Sequence, residues 1–248
     1  MGRLIGIQSD VGNKRSLNED FVGYFEEDSM AIYGIADGMG GHNAGEVASK
    51  LALEIVIGYI KEHKDEEPEK TLVEAINKAN HNVYKHALLN ENYRGMGTTI
   101  TVCYIKDNTL LVGHVGDSRC YAVCNNSLVK VTKDHSLVQE LLDNGTISEE
   151  EAVNHPNKNV ITRAIGTKPS VEVDVYKLDI DSVDKVLLCT DGLTNELTTE
   201  EIYDIITNCK GESCEKLIQL SKERGGRDNI SVIIFKGECG DDWNHIGE

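Results

Sequence analysis

Residues 98–132, TTITVCYIKDNTLLVGHVGDSRCYAVCNNSLVKVT, decide the fold. Four apolar runs, 98–105, 109–115, 119–124 and 128–132, are interrupted by turn residues at Lys106-Asp107-Asn108 and at Asn125-Asn126. Short runs rich in Val, Ile, Leu and Tyr between such breaks read as strands. Connections of two or three residues permit only antiparallel neighbours, because a parallel crossover needs a dozen or more. The stretch therefore predicts a β-meander and speaks against a doubly wound parallel sheet.

Outward from this stretch, runs at 21–25, 30–36, 185–190 and 230–235 also read as short buried strands. Ala44, Val47, Ala48, Leu51, Ile55 and Tyr59 keep helical spacing, as do Leu72, Ala75, Ile76, Ala79, Val83 and Ala87. Each set forms a single apolar stripe. The charged residues 61–70, with Pro68 among them, read as a solvated connection between two antiparallel helices. Ser148 with Glu151, and Thr198 with Glu201, match the capping box and predict two further helix starts. Helices with one apolar stripe must cover sheet faces, so the expected class is α+β, with a central antiparallel β-sandwich flanked by pairs of helices in four αββα layers. No repeat or Gly/Ser/Pro linker divides the chain. Residues 1–238 are expected to form one domain and 239–248 a polar tail.

Composition removes several functions. Lys and Arg number 25 against 42 Asp and Glu, giving a net charge of -17. A field of that sign repels nucleic acid and anionic lipid, so neither is an expected partner. No run is apolar enough to cross a membrane, and the first residues do not read as a secretion signal, so a cytoplasmic chain is expected. The seven Cys are an odd number and lie mostly in apolar stretches, as reduced core thiols do. Neither C-x-x-C nor H-E-x-x-H occurs, which removes the usual support for zinc.

The apolar runs carry carboxylates at their ends. Asp37-Gly38 closes one and Asp191-Gly192 another, whereas Glu19-Asp20 and Asp228-Asn229 stand just before two more. A single Asp-Gly pair after a strand is ordinary turn chemistry. Four acidic strand ends are better explained as one cluster, and clustered carboxylates need protons or cations to coexist. With oxygen donors alone and no His or Cys, the expected ion is Mn²⁺ or Mg²⁺. Other phosphate chemistries lack their motifs: no Cys has an Arg six positions on, no P-loop is present, and no G-x-S-x-G elbow occurs. Asp179-Ile180-Asp181-Ser182-Val183 has the D-x-D-x-[TV] pattern of aspartyl-phosphate hydrolases but reads as an exposed turn.

A series of motifs in order along the chain resembles the metal-dependent serine/threonine protein phosphatases, protein phosphatase type 2C. These are Arg15-Ser16-Leu17-Asn18-Glu19-Asp20, Asp37-Gly38-Met39-Gly40-Gly41-His42, Gly97-Thr98-Thr99 and Gly116-Asp117-Ser118-Arg119. Asp134-His135-Ser136, Ile161-Thr162-Arg163-Ala164-Ile165-Gly166, Thr190-Asp191-Gly192 and Arg227-Asp228-Asn229 follow. The D-G-M-G-G-H form is similar to that of bacterial single-domain members that oppose Ser/Thr kinases.

The resemblance implies hydrolysis of phosphoserine and phosphothreonine proteins by a water held between two ions. It places Asp37 between the two ions, Asp191 and Asp228 on the first, and Glu19 with the Gly38 carbonyl on the second. It gives Asp20 the orientation of water, Arg15 the substrate phosphate, and Asp117 with Asp191 a third ion in members that bind one. A monomer with a cognate kinase as partner is expected. Residues 142–163 lie where the family carries a flap, and Asp134, Ser136 and Thr98 are expected to be structural. Eukaryotic relatives carry a His, a proposed general acid, where this chain has Met39, and His42 does not automatically replace it. Two other readings remain open at this point: a non-catalytic relative that binds phosphoproteins, and a metal-dependent hydrolase of small phosphoesters.

Overall fold

Strands β1 (Leu4–Asp10) and β2 (Asp20–Glu27) begin the two sheets of the computed structural model, which describes residues 2–27, 29–40, 44–209 and 211–239. Chain order continues through β3 (Met30–Met39), the short β4 (Gly97–Thr98), β5 (Ile100–Lys106), β6 (Thr109–Val115), β7 (Arg119–Cys124) and β8 (Ser127–Lys130). Strands β9 (Asp174–Asp179), β10 (Lys185–Cys189) and β11 (Ile230–Lys236) complete the set. One sheet has the order β1-β11-β10-β7-β8 and the other β2-β3-β5-β6-β9, with β4 paired to β3. Every pairing is antiparallel.

The expected meander forms but divides. β5 and β6 are hairpin partners in one sheet, whereas β7 and β8 pair in the other. The chain changes sheet at Gly116-Asp117-Ser118, where Gly116 adopts φ +116° and a Cβ would lie 2.5 Å from Thr99. Only glycine fits that bend. The strands that flank it therefore lie in facing sheets, and Asp117 sits at the junction between them.

Helices α1 (Ala44–Glu62) and α2 (Pro68–Leu89) cover the β2-β3-β5-β6 face. The predicted connection at 61–70 is shorter than expected. Proline is tolerated at the first helical position, and the Glu67 carboxylate accepts from the Glu69 and Lys70 amides, so α2 already begins at Pro68. Glycines in the sheet receive helix side chains: a Cβ on Gly34 would lie 2.3 Å from Leu53, and one on Gly113 2.6 Å from Ile76.

On the other outer face lie α5 (Asp191–Thr194), α6 (Thr199–Asn208) and α7 (Ser213–Glu223), packed through Leu193, Ile202, Ile206, Leu217 and Ile218. The inner layer between the sheets is mainly apolar, with Tyr33 stacked on Phe235 at 4.0 Å between ring centres, and becomes polar toward one end at Thr101, His114 and Ser231. Four αββα layers result. Short helices α3 (Leu137–Asp143) and α4 (Glu149–Val153) form an excursion closed at its base by a bridge between Ser136 and Ile161. Both predicted capping boxes are present, at Ser148/Glu151 and at Thr198/Glu201. The expected tail at 239–248 lies, apart from Cys239, outside the described residues.

Candidate active site

The acidic strand ends meet at one end of the sandwich. Asp20 begins β2 and Asp37 lies near the end of β3, and antiparallel pairing sets them directly opposite each other. From the other sheet come Asp191, which follows β10 as the first residue of α5, and Asp228, two residues before β11. Asp117 enters at the sheet crossing. Asp191-Gly192 is thus a helix start, not a turn, with Thr190 as its N-cap.

Backbone contacts fix these residues. The Asp37 amide donates to Thr99 Oγ1 at 2.9 Å, and its carbonyl accepts from the Thr99 amide at 2.9 Å and Thr98 Oγ1 at 2.8 Å. Thr99 Oγ1 in turn lies 2.8 Å from Ser118 Oγ, which locks the loop carrying Asp117 to the strand end carrying Asp37. The Gly38 amide donates to the Glu19 carbonyl at 3.1 Å. A Cβ at Gly38 would stand 2.2 Å from the Gly45 carbonyl oxygen, so the approach of α1 to this strand requires glycine.

Asp20 is buried. Its Oδ2 accepts from Ser231 Oγ at 2.7 Å and Thr190 Oγ1 at 2.9 Å, while Oδ1 has no partner. Burial pushes its carboxyl up to about 7, helped by the charges of Asp191 and Asp228 and opposed by the two hydroxyls. Asp117 is 7% exposed, also with an unpartnered Oδ1. Burial, with Asp191 and Asp134 nearby, pushes its carboxyl up to about 8. Asp37 is raised by burial and then by Asp20, Asp191, Asp117 and Asp228, and Asp191 by burial and Asp228. Burial also raises Glu19, with the Gly45 amide working against it.

Four aspartates, Asp20, Asp37, Asp117 and Asp191, raised by burial and by neighbouring carboxylates, form a single electrostatic unit short of positive charge. Among the described residues, no three acidic, His or Cys side chains already converge as a closed ligand shell. The chemistry of the donors nonetheless fits a divalent ion. All are oxygens, two buried carboxylate oxygens lack any donor, and burying unpaired carboxylates is costly unless a proton or cation joins them.

Arg15 reaches the cluster from the β1–β2 loop, its Nη2 donating to Asp228 Oδ2 at 2.8 Å with about half of the side chain exposed. The guanidinium is half committed to the cluster and half open to a ligand. Asp134 takes a different role: Arg119 grips it through Nε and Nη2, and Lys130 adds a bond of 2.7 Å. With Ser136 capping α3 and Thr98 on the Asp37 carbonyl, the expected structural roles of all three agree with their contacts. Met39 stands where the eukaryotic His would be, and His42 lies outside the described residues. Asp179 Oδ1 merely accepts from the Asp181 amide at 3.1 Å in an exposed turn.

Sequence reasoning missed the residues that hold the carboxylates. Asn229 is 5% exposed; its Oδ1 accepts from the Glu19 amide at 2.9 Å, and its Nδ2 donates to the Val11 and Leu17 carbonyls. Ser231 and Thr190, the partners of Asp20, are polar residues inside or beside apolar runs, a weak signal that could have drawn attention. A cavity of about 780 Å³ adjoins Asp117 and Asp191 and is walled on its far side by Leu142, Ile147, Ala152 and Val153. A second, of about 850 Å³, lies at the opposite end of the sandwich, where Glu26 is already bonded to the Arg3 and Leu4 amides and Arg3 to Glu238.

Residues 12–221 match the sequence model of the family described as protein phosphatase 2C. The chain belongs to that family. A curated relative, the serine/threonine phosphatase stp of Listeria welshimeri, is 40% identical over 236 residues, covering 92% of this chain and 94% of the relative. The crystal structure of the serine/threonine phosphatase Stp1 from Staphylococcus aureus superposes with a TM-score of 0.85 at 32% identity, covering 93% of each chain. The catalytic domain of the serine/threonine protein phosphatase PstP, solved in complex with two manganese ions, gives 0.79 at 34% identity, covering 93% of this chain and 96% of that one. This protein phosphatase 2C is accordingly a serine/threonine protein phosphatase. The expected fold class and enzyme class both hold. Among the described residues, no helix is long and apolar enough to cross a membrane.

Proposed function

We propose that the chain hydrolyses phosphoserine and phosphothreonine esters at the Asp20/Asp37 end of the sandwich, using two Mn²⁺ or Mg²⁺ ions and opposing a Ser/Thr kinase. The observation that carries this reading is the convergence of Asp20, Asp37, Asp117 and Asp191 at one end of the sandwich, with the buried Oδ1 of Asp20 and of Asp117 unpartnered. Asp37 would lie between the ions, with Asp191 and Asp228 on one side and Glu19 and the Gly38 carbonyl on the other. Asp117 with Asp191 would hold a third ion.

When bound, the ions supply charge neutralisation at the phosphoryl oxygens and acidity to the attacking water. The protein does the rest. Arg15, already aimed at the cluster, clamps two phosphate oxygens with its planar fork and stabilises charge that develops as the ester bond breaks. Asp20, anchored by Ser231 and Thr190, presents its free Oδ1 to orient water. With Met39 in place of an imidazole, the serine or threonine alkoxide takes its proton from water at the site. Residues 1–238 act as one catalytic domain.

The test is phosphate release from a phosphothreonine peptide, with Mn²⁺, with EDTA, and with Asp37→Ala and Asp191→Ala. Release that needs the metal and vanishes in both variants is expected. Full turnover in EDTA would overturn the reading.

A further inference from the structure

Gly116 spends both of its backbone polar groups on one residue. The His135 amide donates to the Gly116 carbonyl at 2.7 Å, and the Gly116 amide donates to His135 Nδ1 at 3.0 Å. Because Nδ1 accepts, the ring proton resides on Nε2. Nε2 faces Asp174 Oδ2 at 3.2 Å, and the other oxygen of Asp174 accepts from Arg163 Nη1 at 2.6 Å. The His135 carbonyl accepts from the Thr162 amide at 2.8 Å, beside the bridge that closes the 137–160 excursion. His114 packs against the ring, tilted and 4.8 Å between centres, and is itself held by Thr101 and the Lys133 carbonyl.

The next residue is Asp117, whose Oδ1 touches no donor. The donor that meets its carboxyl is its own backbone amide, so the side chain takes its direction from the backbone leaving Gly116, a bend open to glycine alone. We propose that His135 is a positioning residue for Asp117, fixing the Gly116 bend through the Nδ1 lone pair and tying it through Asp174 and Arg163 to the base of the 137–160 excursion. This inference rests on the reading of Asp117 as an ion ligand. Outer partners of this kind typically change metal affinity 10- to 100-fold when removed.

Two measurements test it. In the metal-free wild-type protein, long-range ¹H–¹⁵N spectra of the imidazoles should show His135 protonated on Nε2; a proton on Nδ1 would overturn the inference without any variant. Calorimetric titration with Mn²⁺ then compares wild type, Asp117→Asn, His135→Asn and His135→Gln, each with its melting temperature. An asparagine amide places an acceptor near the Nδ1 position, whereas a glutamine amide reaches only the Nε2 position. The ion lost in Asp117→Asn should bind at least tenfold more weakly in His135→Gln and within threefold of wild type in His135→Asn. Equal affinities in the two His135 variants, or loss of that ion in His135→Asn, would overturn the inference. If His135→Gln does not fold, the tautomer and His135→Asn still decide. If Asp117→Asn loses no ion while the wild type binds Mn²⁺ and releases phosphate, the role given to Asp117 fails and this inference falls with it, leaving the proposed reaction standing.

Discussion

Asp20 and Asp37 are direct cross-strand partners, each at the site end of its own strand. Opposed side chains of an antiparallel pair have Cβ atoms about 5 Å apart, and like charges there destabilise the sheet. The pairing predicts a trade between stability and activity. Asp20→Asn keeps an oxygen for Ser231 and Thr190 and removes one charge, so the metal-free protein should melt higher. Phosphate release should fall at least tenfold in the same variant. A lower melting temperature would show that the repulsion is not what the pair contributes.

The raised carboxyls also set a pH dependence. An acid whose value is raised on folding contributes stability that is present at low pH and is lost as pH rises through the folded value. For Asp20 at about 7 and Asp117 at about 8, that loss begins above the ordinary carboxylate value of 3.8 and ends near those folded values, so its last part falls between pH 6.5 and 8. Buried His114, pushed down to about 3, has the opposite sign, but its contribution is gained below about pH 6.5 and is flat above it. Metal-free protein should therefore lose on the order of 2 kcal/mol between pH 6.5 and 8. Adding Mn²⁺ should restore more stability at pH 8 than at 6.5. Urea titrations at the two pH values, with and without the ion, check both statements.

Asn229→Ala removes the acceptor for the Glu19 amide and the donor for the Val11 and Leu17 carbonyls. Leaving such buried groups unsatisfied costs about 1–3 kcal/mol. The loop bearing Arg15 and Glu19 should loosen, so the urea midpoint should drop and the Mn²⁺ concentration for half-maximal activity should rise. A change in the midpoint alone would make Asn229 a purely structural residue.

Arg15→Lys retains the charge near Asp228 and loses the fork. It should raise KM for a phosphopeptide several-fold with a smaller effect on kcat, and Arg15→Ala should raise it further. A KM equal to wild type in the alanine variant would remove Arg15 from substrate binding.

Much of this site was legible because its acids stand at the ends of apolar runs, where alternation and turn residues make strand boundaries plain. Asp37, Asp191 and Asp228 were found that way, and the structure brings them to one edge with Glu19 and Asp20. The sheet crossing was not legible: Gly116-Asp117-Ser118 resembles any hairpin turn, and only the packing of Gly116 against Thr99 sends the chain to the facing sheet. β1 and β9 escaped notice because both are only partly buried, and β9 mixes Val175, Tyr176 and Leu178 with charged neighbours. The braces were hidden for another reason. Thr190, Ser231 and Asn229 matter through residues roughly 170 to 210 positions away, a separation that local periodicity does not encode.

The acidic residues come from both sheets, Asp20 and Asp37 from one, Asp191 and Asp228 from the other. Charge repulsion across the open end pushes the sheets apart, and an ion shared by both sides would clasp them. On the proposed reading neither sheet alone carries the full donor set, so capture of the ion would belong to the last stage of assembly. Mn²⁺ should leave the folding rate nearly unchanged and slow unfolding, making the loaded enzyme a kinetically trapped form that outlasts the bare chain under protease.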